Sequence, residues 1–294
     1  MVTPEARREA AGWVREQYPI SGRRAAGVLL LAWSTCRYRP RRAPDEAELK
    51  ARLHELAMQR RRFGYRRLWA LLRREGVRVN RKRVWRLYRR AGLQVARRPK
   101  GRCCPRPRQA MPAAAQPNAR WSMDFVSDEL AGGRRLRTFN LVDDCTRECL
   151  AIEVDTNLPG ARVVRVLERV ARERGQPAAL VSDNGPEFTG KALDQWAYGR
   201  GVKLHFITPG KPTENAYIES FNDKFRKECL NDHWFVDLPD SQGKIESWRR
   251  DYNEQRPHSS LGYRTPREYA AAYAPPSGGR DPRLEALSSP STTA

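Results

Sequence analysis

The sequence predicts an α/β fold in which a mixed five-stranded sheet is flanked by helices and preceded by an all-α region of helix-turn-helix type. Residues 45–93 carry apolar side chains at helical spacing. Residues 121–154 contain three strand patterns in succession, and residues 160–256 alternate helix patterns with short apolar strands. A strand meander followed by such an alternation indicates helices packed on a mixed sheet.

Positive charge is concentrated in the first part of the 294-residue chain. Residues 1–120 hold 32 Lys and Arg against 8 Asp and Glu, whereas residues 121–294 hold 24 against 26. Arg accounts for 47 of the 56 basic residues, which either phosphate recognition or a GC-rich genome would explain. The basic part suits a phosphate backbone, and the near-neutral part can hold an acidic metal site.

The first 40 residues are predicted to form a helical segment. Pro4 and Pro19 bracket an apolar and charged stretch that favours a helix over 4–18. Residues 21–38 allow two interpretations, namely two short helices joined by a tight turn near Leu30, or one continuous helix packed through Val28, Leu29 and Leu31.

A helix-turn-helix-like DNA-binding domain is predicted over residues 45–93. Leu49, Leu53 and Leu56 give the first helix its apolar face, a second helix follows at 66–74, and Asn80 is suited to cap a third. The third helix is rich in Arg, a pattern typical of DNA binding, although a solvated basic helix would look the same. The expected DNA contacts here are Arg66, Arg67, Arg81, Lys82, Arg83, Arg86 and Arg90.

Two segments are predicted to lack regular structure. Residues 94–119 are rich in Pro and Arg and indicate a linker, and residues 275–294 are rich in Pro, Ser, Gly and Thr and indicate a disordered tail. No pair of the six Cys has C-x-x-C spacing and the four His are scattered, so neither a zinc site nor a disulfide framework is expected. Free thiols and an amino terminus without an apolar signal core favour a cytoplasmic protein with no membrane segment.

The catalytic core is predicted over residues 120–272. Strands are expected at 121–127, 135–142, 148–154, 178–182 and 202–207, and helices at 160–174, 190–200, 214–230 and 241–256. This order of elements matches the RNase H-like fold. Asp143 and Asp144 are secondary candidates for metal binding, because a hairpin turn accounts for them fully.

Three carboxylates stand out as candidate metal ligands. Asp124 alternates with Trp121, Met123 and Phe125 on a strand, so it faces away from the aromatic side chains. Asp183 ends a short apolar strand, and Glu219 follows it on a helix after 35 intervening residues. Two strand carboxylates and one helix carboxylate can hold two Mg²⁺ ions about 4 Å apart for reaction at a phosphodiester.

Five segments together resemble the integrase-type catalytic core of bacterial insertion-sequence transposases, and more narrowly the product of the second of two overlapping reading frames. They read WSMDFVSD, LVDDCTRECLAIEVD, SDNGPEFTG, PGKPTENAYIESFNDKFRKECLN and WRRDYNEQRPHSSLGYRTPREY, in the family's order. Residues 21–38 resemble its amino-terminal helix-turn-helix, with Leu30 and Ala32 where that pattern has Gly and Ser.

The resemblance implies DNA cleavage and strand transfer at the ends of an insertion sequence, with Asp124, Asp183 and Glu219 as both catalytic residues and ligands of two Mg²⁺ ions, for which Mn²⁺ can substitute. It also implies a first-reading-frame partner or a frameshift fusion with it, a homo-oligomer on DNA, and association with the nucleoid. Further expected DNA contacts near Glu219 are Lys211, Asn215, Lys224 and Lys227.

Two other functions would fit parts of the same pattern. A catalytically silent DNA-binding relic would keep the basic domain, and a nuclease of the same fold would cleave without joining. The intact carboxylate triad argues against the relic, and the basic domain together with the segments from PGKPTEN to HSSLGY argues against a simple nuclease.

Overall fold

The computed structural model describes residues 4–38, 45–96, 114–208 and 212–273. Most of the predicted linker, the whole predicted tail and Lys211 lie outside these ranges. The chain divides into two compact units, residues 1–52 and 53–294. Within the described ranges, no helix has the length and apolar content needed to cross a membrane.

Three short helices form most of the first unit. They are α1 (Pro4–Gln17), α2 (Gly22–Val28) and α3 (Trp33–Arg37), and they pack against one another around small buried alanines. Leu30 lies between α2 and α3 with φ of 50°, a left-handed conformation that ends a right-handed helix. The continuous-helix interpretation of residues 21–38 is therefore wrong, and Val28 is 68% exposed rather than packed.

A fourth helix contains the sequence boundary between the two units, and two basic helices follow it. These are α4 (Glu46–Gln59), α5 (Tyr65–Arg74) and α6 (Arg81–Arg90). The apolar faces of α5 and α6 pack together through buried Leu68, Leu72, Val84 and Leu87. Asn80 caps α6 as predicted, because its side chain accepts a hydrogen bond of 2.8 Å from the backbone N–H of Lys82.

The predicted mixed five-stranded sheet is confirmed, with strand order β3-β2-β1-β4-β5. Its strands are β1 (Trp121–Glu129), β2 (Arg135–Asp143), β3 (Cys149–Asp155), β4 (Ala179–Ser182) and β5 (Lys203–Phe206). The first three strands are antiparallel neighbours, and β4 and β5 are added in parallel to β1. Gly133, with φ of 75°, permits the tight turn between β1 and β2.

Helices cover both faces of the sheet. They are α7 (Gly160–Arg174), α8 (Lys191–Arg200), α9 (Ala216–Glu228), α10 (Leu238–Glu254) and the short α11 (Pro266–Ala271). One core joins Trp121 and Met123 of β1 to apolar residues of α7 and α8. A second core joins Val126 of β1 to apolar residues of α9 and α10. Alternate residues of β1 therefore face opposite helix layers, as strand geometry requires.

Candidate active site

Two neighbouring parallel strands bring Asp124 and Asp183 to the same edge of the β1–β4 pair, with Asp124 inside β1 and Asp183 directly after the carboxyl end of β4. Trp121 of β1 pairs with Leu180 of β4, and Ser122 pairs with Val181. The same register, continued by two residues, sets Asp124 level with Asp183. Functional groups of α/β sheets commonly lie just beyond the carboxyl ends of such parallel strands.

Glu219 approaches this edge from helix α9. Asp124 lies on the sheet face that α9 covers, as the alternation along β1 predicts, and Glu219 is in the first turn of that helix. Burial raises the pKa of Asp124 to about 6, and the negative charges of Asp183 and Glu219 contribute to the increase. The three carboxylates thus share one electrostatic environment, although Asp124 and Glu219 are 95 positions apart in the sequence.

Two asparagines hold Asp124 in place. The Asn222 side chain on α9 donates a hydrogen bond of 2.7 Å to Asp124 Oδ2, and the backbone N–H of Phe125 donates one of 2.7 Å to Oδ1. Asn140 of β2, opposite Asp124 in the ladder, donates to Asn222 Oδ1 at 2.8 Å. This relay was not predicted from sequence. The one sequence signal for it was Asn222 at three residues after Glu219, on the same flank of the helix.

The loop after β4 shapes the surroundings of Asp183. The backbone N–H of Gly185 donates a hydrogen bond of 3.1 Å to Asp183 Oδ1. A Cβ atom at Gly185 would lie 3.1 Å from the same oxygen, closer than most real Cβ contacts. Glycine at this position therefore lets the backbone approach the carboxylate without displacing it.

The donor set of this edge consists of carboxylate oxygens. Glu219 is exposed on α9, and partial burial raises the pKa of its carboxyl. Within the described ranges, no group of three or more His, Cys, Asp or Glu side chains has the arrangement needed to hold a metal ion. The carboxylates are neighbours that repel one another, which is the electrostatic condition that a bound cation relieves.

The secondary candidates Asp143 and Asp144 serve the turn between β2 and β3. Asp143 accepts hydrogen bonds from the backbone N–H groups of Cys145 and Thr146, and Asp144 forms an ion pair with Arg120. Both side chains are almost fully buried. Their carboxylates bond to the turn backbone and to Arg120, as the interpretation of these residues as part of a hairpin turn predicts.

The residues expected to contact DNA differ in how far they are exposed. On α6 the side chains of Arg81, Lys82, Arg86 and Arg90 are exposed, whereas Arg83 is half-buried. Arg66 on α5 is exposed, and Lys227 on α9 is exposed and pairs with Asp223 at 2.5 Å. Asn215 is buried, and its Oδ1 has no hydrogen-bond partner among the described residues.

Arg67 lies in a network of hydrogen-bonded ion pairs between α5 and α9 that no sequence pattern predicts. Glu228, at the end of α9, accepts two hydrogen bonds from Arg256, of 2.7 and 2.6 Å, and one of 3.2 Å from Arg67. The Arg256 side chain is only 2% exposed. This network fixes the helix that carries Glu219 against a basic helix of the predicted DNA-binding domain.

Comparison with protein families gives matches along most of the chain. Profiles described as integrase core domain match residues 114–212 and 200–266, and a profile described as HTH-like domain matches residues 44–101. These matches are consistent with a basic helical region followed by a sheet that carries the three carboxylates.

Individual relatives point the same way. The chain is 53% identical over 262 residues to an uncharacterized 31.7 kDa protein of insertion element IS407 from Burkholderia multivorans, with 88% of this chain and 94% of that protein covered. It is 30% identical over 244 residues to the transposase InsD of insertion element IS2 from Escherichia coli, with 78% and 80% covered.

A solved structure supports the fold. The cryo-electron microscopy structure of a simian T-cell lymphotropic virus intasome in complex with the PP2A regulatory subunit B56 gamma aligns with a TM-score of 0.51. The alignment has 15% identity and covers 78% of this chain and 76% of that one. The family profiles and the InsD relative, rather than this structure, support DNA binding and a role in transposition. The chain belongs to the insertion-sequence transposases that combine an HTH-like domain with an integrase core of RNase H-like fold.

Proposed function

We propose that this chain is a DDE-type transposase, a polynucleotidyl transferase that cleaves and joins DNA at the ends of its insertion sequence. The observation that carries the proposal is the alignment of Asp124 and Asp183 on neighbouring strands, with Glu219 on the helix that covers that face, where burial and then the charges of the other two raise the pKa of Asp124. Perturbed carboxylates of this kind are typical of catalytic sites.

The proposed cofactor is Mg²⁺. Carboxylate oxygens are the ligands that this hard cation prefers. Asp124, Asp183 and Glu219 are not drawn together as a ligand group in the described arrangement, so they would hold two such ions, with Mn²⁺ as a substitute, by turning their side chains toward them. The chemistry that the ions supply when bound is neutralisation of phosphate charge and Lewis-acid polarisation at phosphorus. The pKa of about 6 for Asp124 means that its carboxyl is largely ionised, and able to act as a ligand, at neutral pH.

The chain's own contribution to the reaction is positioning. Asn222 fixes the Asp124 carboxylate through a hydrogen bond, and the Gly185 N–H fixes that of Asp183. In the proposed reaction, water attacks phosphorus in line to nick the element's end, and the freed 3′-hydroxyl then attacks a second phosphodiester. The protein forms no covalent bond to DNA, so rate enhancement comes from alignment and charge stabilisation.

The basic helices would bind the DNA that is cleaved. The exposed cations of α6 would contact phosphates or base edges, and Lys211, Asn215, Lys224 and Lys227 would contact DNA near Glu219. A first-reading-frame protein, or a frameshift fusion with it, would complete the recognition of the ends. We further propose a homo-oligomer on DNA at the nucleoid, with a circular intermediate formed by joining the element's own ends.

Strand transfer on DNA with the cognate ends tests this proposal. The wild type would be compared with Asp183→Asn and with Asp194→Asn, which removes the same charge from an exposed site on α8. Reactions with Mg²⁺ would be run with and without the first-frame partner, and nicked and joined products would be resolved separately.

The proposal predicts joining by the wild type and by Asp194→Asn, while Asp183→Asn binds DNA without joining it. Nicking without joining under all partner conditions would favour a nuclease. DNA binding by every protein with neither nicking nor joining would favour a DNA-binding relic. Equal joining by Asp183→Asn and the wild type would refute the assignment of the site.

A further inference from the structure

A second cavity lies beside α9, on a different side of the helix from Glu219. Its volume is about 370 Å³. Tyr217, Ser220 and Lys224 line it from α9, and their spacing of three and four residues places them on one face of that helix. Glu219 lies one residue before Ser220, about 100° around the helix, and its charge acts on Asp124 instead.

The wall of this cavity is cationic. No Asp or Glu is among the described residues that line it. The basic residues of the lining are Arg67, Arg147, Lys224 and Arg256. The nearby Glu228 is hydrogen-bonded to both Arg67 and Arg256, so its single negative charge is shared by two guanidinium groups. The cavity therefore holds an excess of positive charge.

Two of the cations that line the cavity are held in place by neighbours on α9. Arg147 stacks on the Tyr217 ring, with its guanidinium carbon 3.7 Å from the ring centroid, and its Nη1 is buried without a hydrogen-bond partner among the described residues. Lys224 Nζ donates to the backbone oxygen and the hydroxyl of Ser220, at 2.6 and 2.7 Å. Lys224 keeps one N–H for an anion in the cavity, and the Arg147 guanidinium adds its positive charge to the wall.

The positive charges around the cavity contribute to lowering the pKa values of His258 and Lys224. Burial, followed by the charges of Arg256, Lys224 and Arg67, lowers the pKa of His258 to about 2. Burial and the charge of Arg256 lower the pKa of Lys224 to about 8. A bound anion would offset the repulsion that both side chains experience.

We propose that this cavity binds one phosphate of the DNA backbone and forms a second, non-catalytic phosphate site on α9. The inference rests on the proposed function, because that function supplies DNA as the ligand. Arg and Lys donors suit phosphate oxygens, and phosphate contacts fix the register of a protein on DNA. Since a helix is about 10 Å wide, the phosphate held here would flank the bond that reacts near Glu219.

Single neutral phosphates in the DNA provide the test. A methylphosphonate would replace one phosphate at a time near the element's end, and affinity would be measured by fluorescence anisotropy at constant salt. All proteins would carry Asp183→Asn, so that the DNA stays intact. Arg147→Gln and Lys224→Gln would be compared with Lys191→Gln, which removes a positive charge from an exposed site on α8 outside the cavity.

One methylphosphonate position is expected to lower the affinity of the otherwise unchanged protein about tenfold, the loss expected for one charge-assisted hydrogen bond. Arg147→Gln and Lys224→Gln should weaken binding by a similar factor and no longer respond to that position. Lys191→Gln should bind DNA as tightly as the parent protein and should still respond to that position. Circular dichroism would verify that each variant folds. Lys224 is only partly buried, so Lys224→Gln tests the phosphate site even if Arg147→Gln does not fold.

The inference is overturned if no methylphosphonate position loses its effect in the cavity variants. It is also overturned if inorganic phosphate binds the cavity, with Lys224→Gln abolishing that binding, while the response to every DNA position is unchanged. Its failure is distinguishable from failure of the proposed function. A coupled position in a protein whose native form never nicks or joins DNA would support the cavity and refute the catalytic proposal.

Discussion

Glu228 on α9 is hydrogen-bonded to the guanidinium groups of Arg67 and Arg256, so replacing it with Gln should destabilise the protein strongly. The side chains of Arg256, Glu228 and Arg67 are 2%, 12% and 26% exposed. Removing one partner of a buried ion pair leaves the other charge uncompensated, at a cost of about 3–5 kcal/mol. Gln keeps the volume and one acceptor oxygen, and Arg67 retains some water, so we expect about 3 kcal/mol.

Thermal unfolding followed by circular dichroism would measure this loss. For a domain of this size, about 3 kcal/mol corresponds to a decrease in Tm of about 6–12 °C. Glu246→Gln is the matched control, because Glu246 pairs with Arg249 and Arg250 on the more exposed surface of α10. That change should cost at most about 1 kcal/mol. Equal destabilisation by the two variants would refute the reasoning.

The effect of Glu228 should also depend on pH. Burial alone would raise the pKa of Glu228, but the hydrogen bonds and charge of Arg256, with the charge of Arg67, hold it below its usual range. A carboxyl whose pKa is depressed by folding stabilises the native state fully above its unfolded-state pKa, near 4.3, and loses that contribution as the pH falls through the folded-state pKa. The stability difference between wild type and Glu228→Gln should therefore be complete at pH 7 and shrink below about pH 4.

Three further predictions concern single positions. Asn222→Ala should raise the pKa of Asp124 further and reduce joining about 10–100-fold while DNA binding stays unchanged, and an unchanged joining rate would contradict it. Gly185→Ala should displace the Asp183 carboxylate and reduce joining without weakening DNA binding, which gel-shift and joining assays would separate. Leu30→Gly should stabilise the first unit by about 1 kcal/mol by relieving a positive φ, whereas Leu30→Ala should not, and a lower Tm for the Gly variant would contradict it.

The strands and helices of the core could be predicted from sequence because their signals are local. The alternation around Asp124 gave its face on β1, and the apolar spacing of Ile218, Phe221 and Phe225 gave the buried face of α9. The turn at Leu30 could not be settled in this way. A non-glycine residue with positive φ is uncommon, so the sequence left a continuous helix equally acceptable.

The parts of the site that depend on long-range packing could not be predicted. The pairing of Arg67 with Glu228 joins residues 161 positions apart, and that of Asn140 with Asn222 joins residues 82 apart. Their side chains are ordinary in type and spacing, and only the docking of α9 on its neighbours makes them partners. An Arg predicted to contact DNA can therefore occupy an ion pair within the fold, as Arg67 does.

The central claim is that Asp124, Asp183 and Glu219 form one metal site, and calorimetric titration of Mg²⁺ in the presence of uncleaved end DNA tests it most directly. Asp124→Asn, Asp183→Asn and Glu219→Gln would be compared with Asp194→Asn. The account predicts that each of the first three changes weakens Mg²⁺ binding by 10-fold or more, which corresponds to at least about 1.4 kcal/mol. Asp194→Asn should leave Mg²⁺ binding unchanged. Unchanged Mg²⁺ binding in any of the three variants would contradict a shared site.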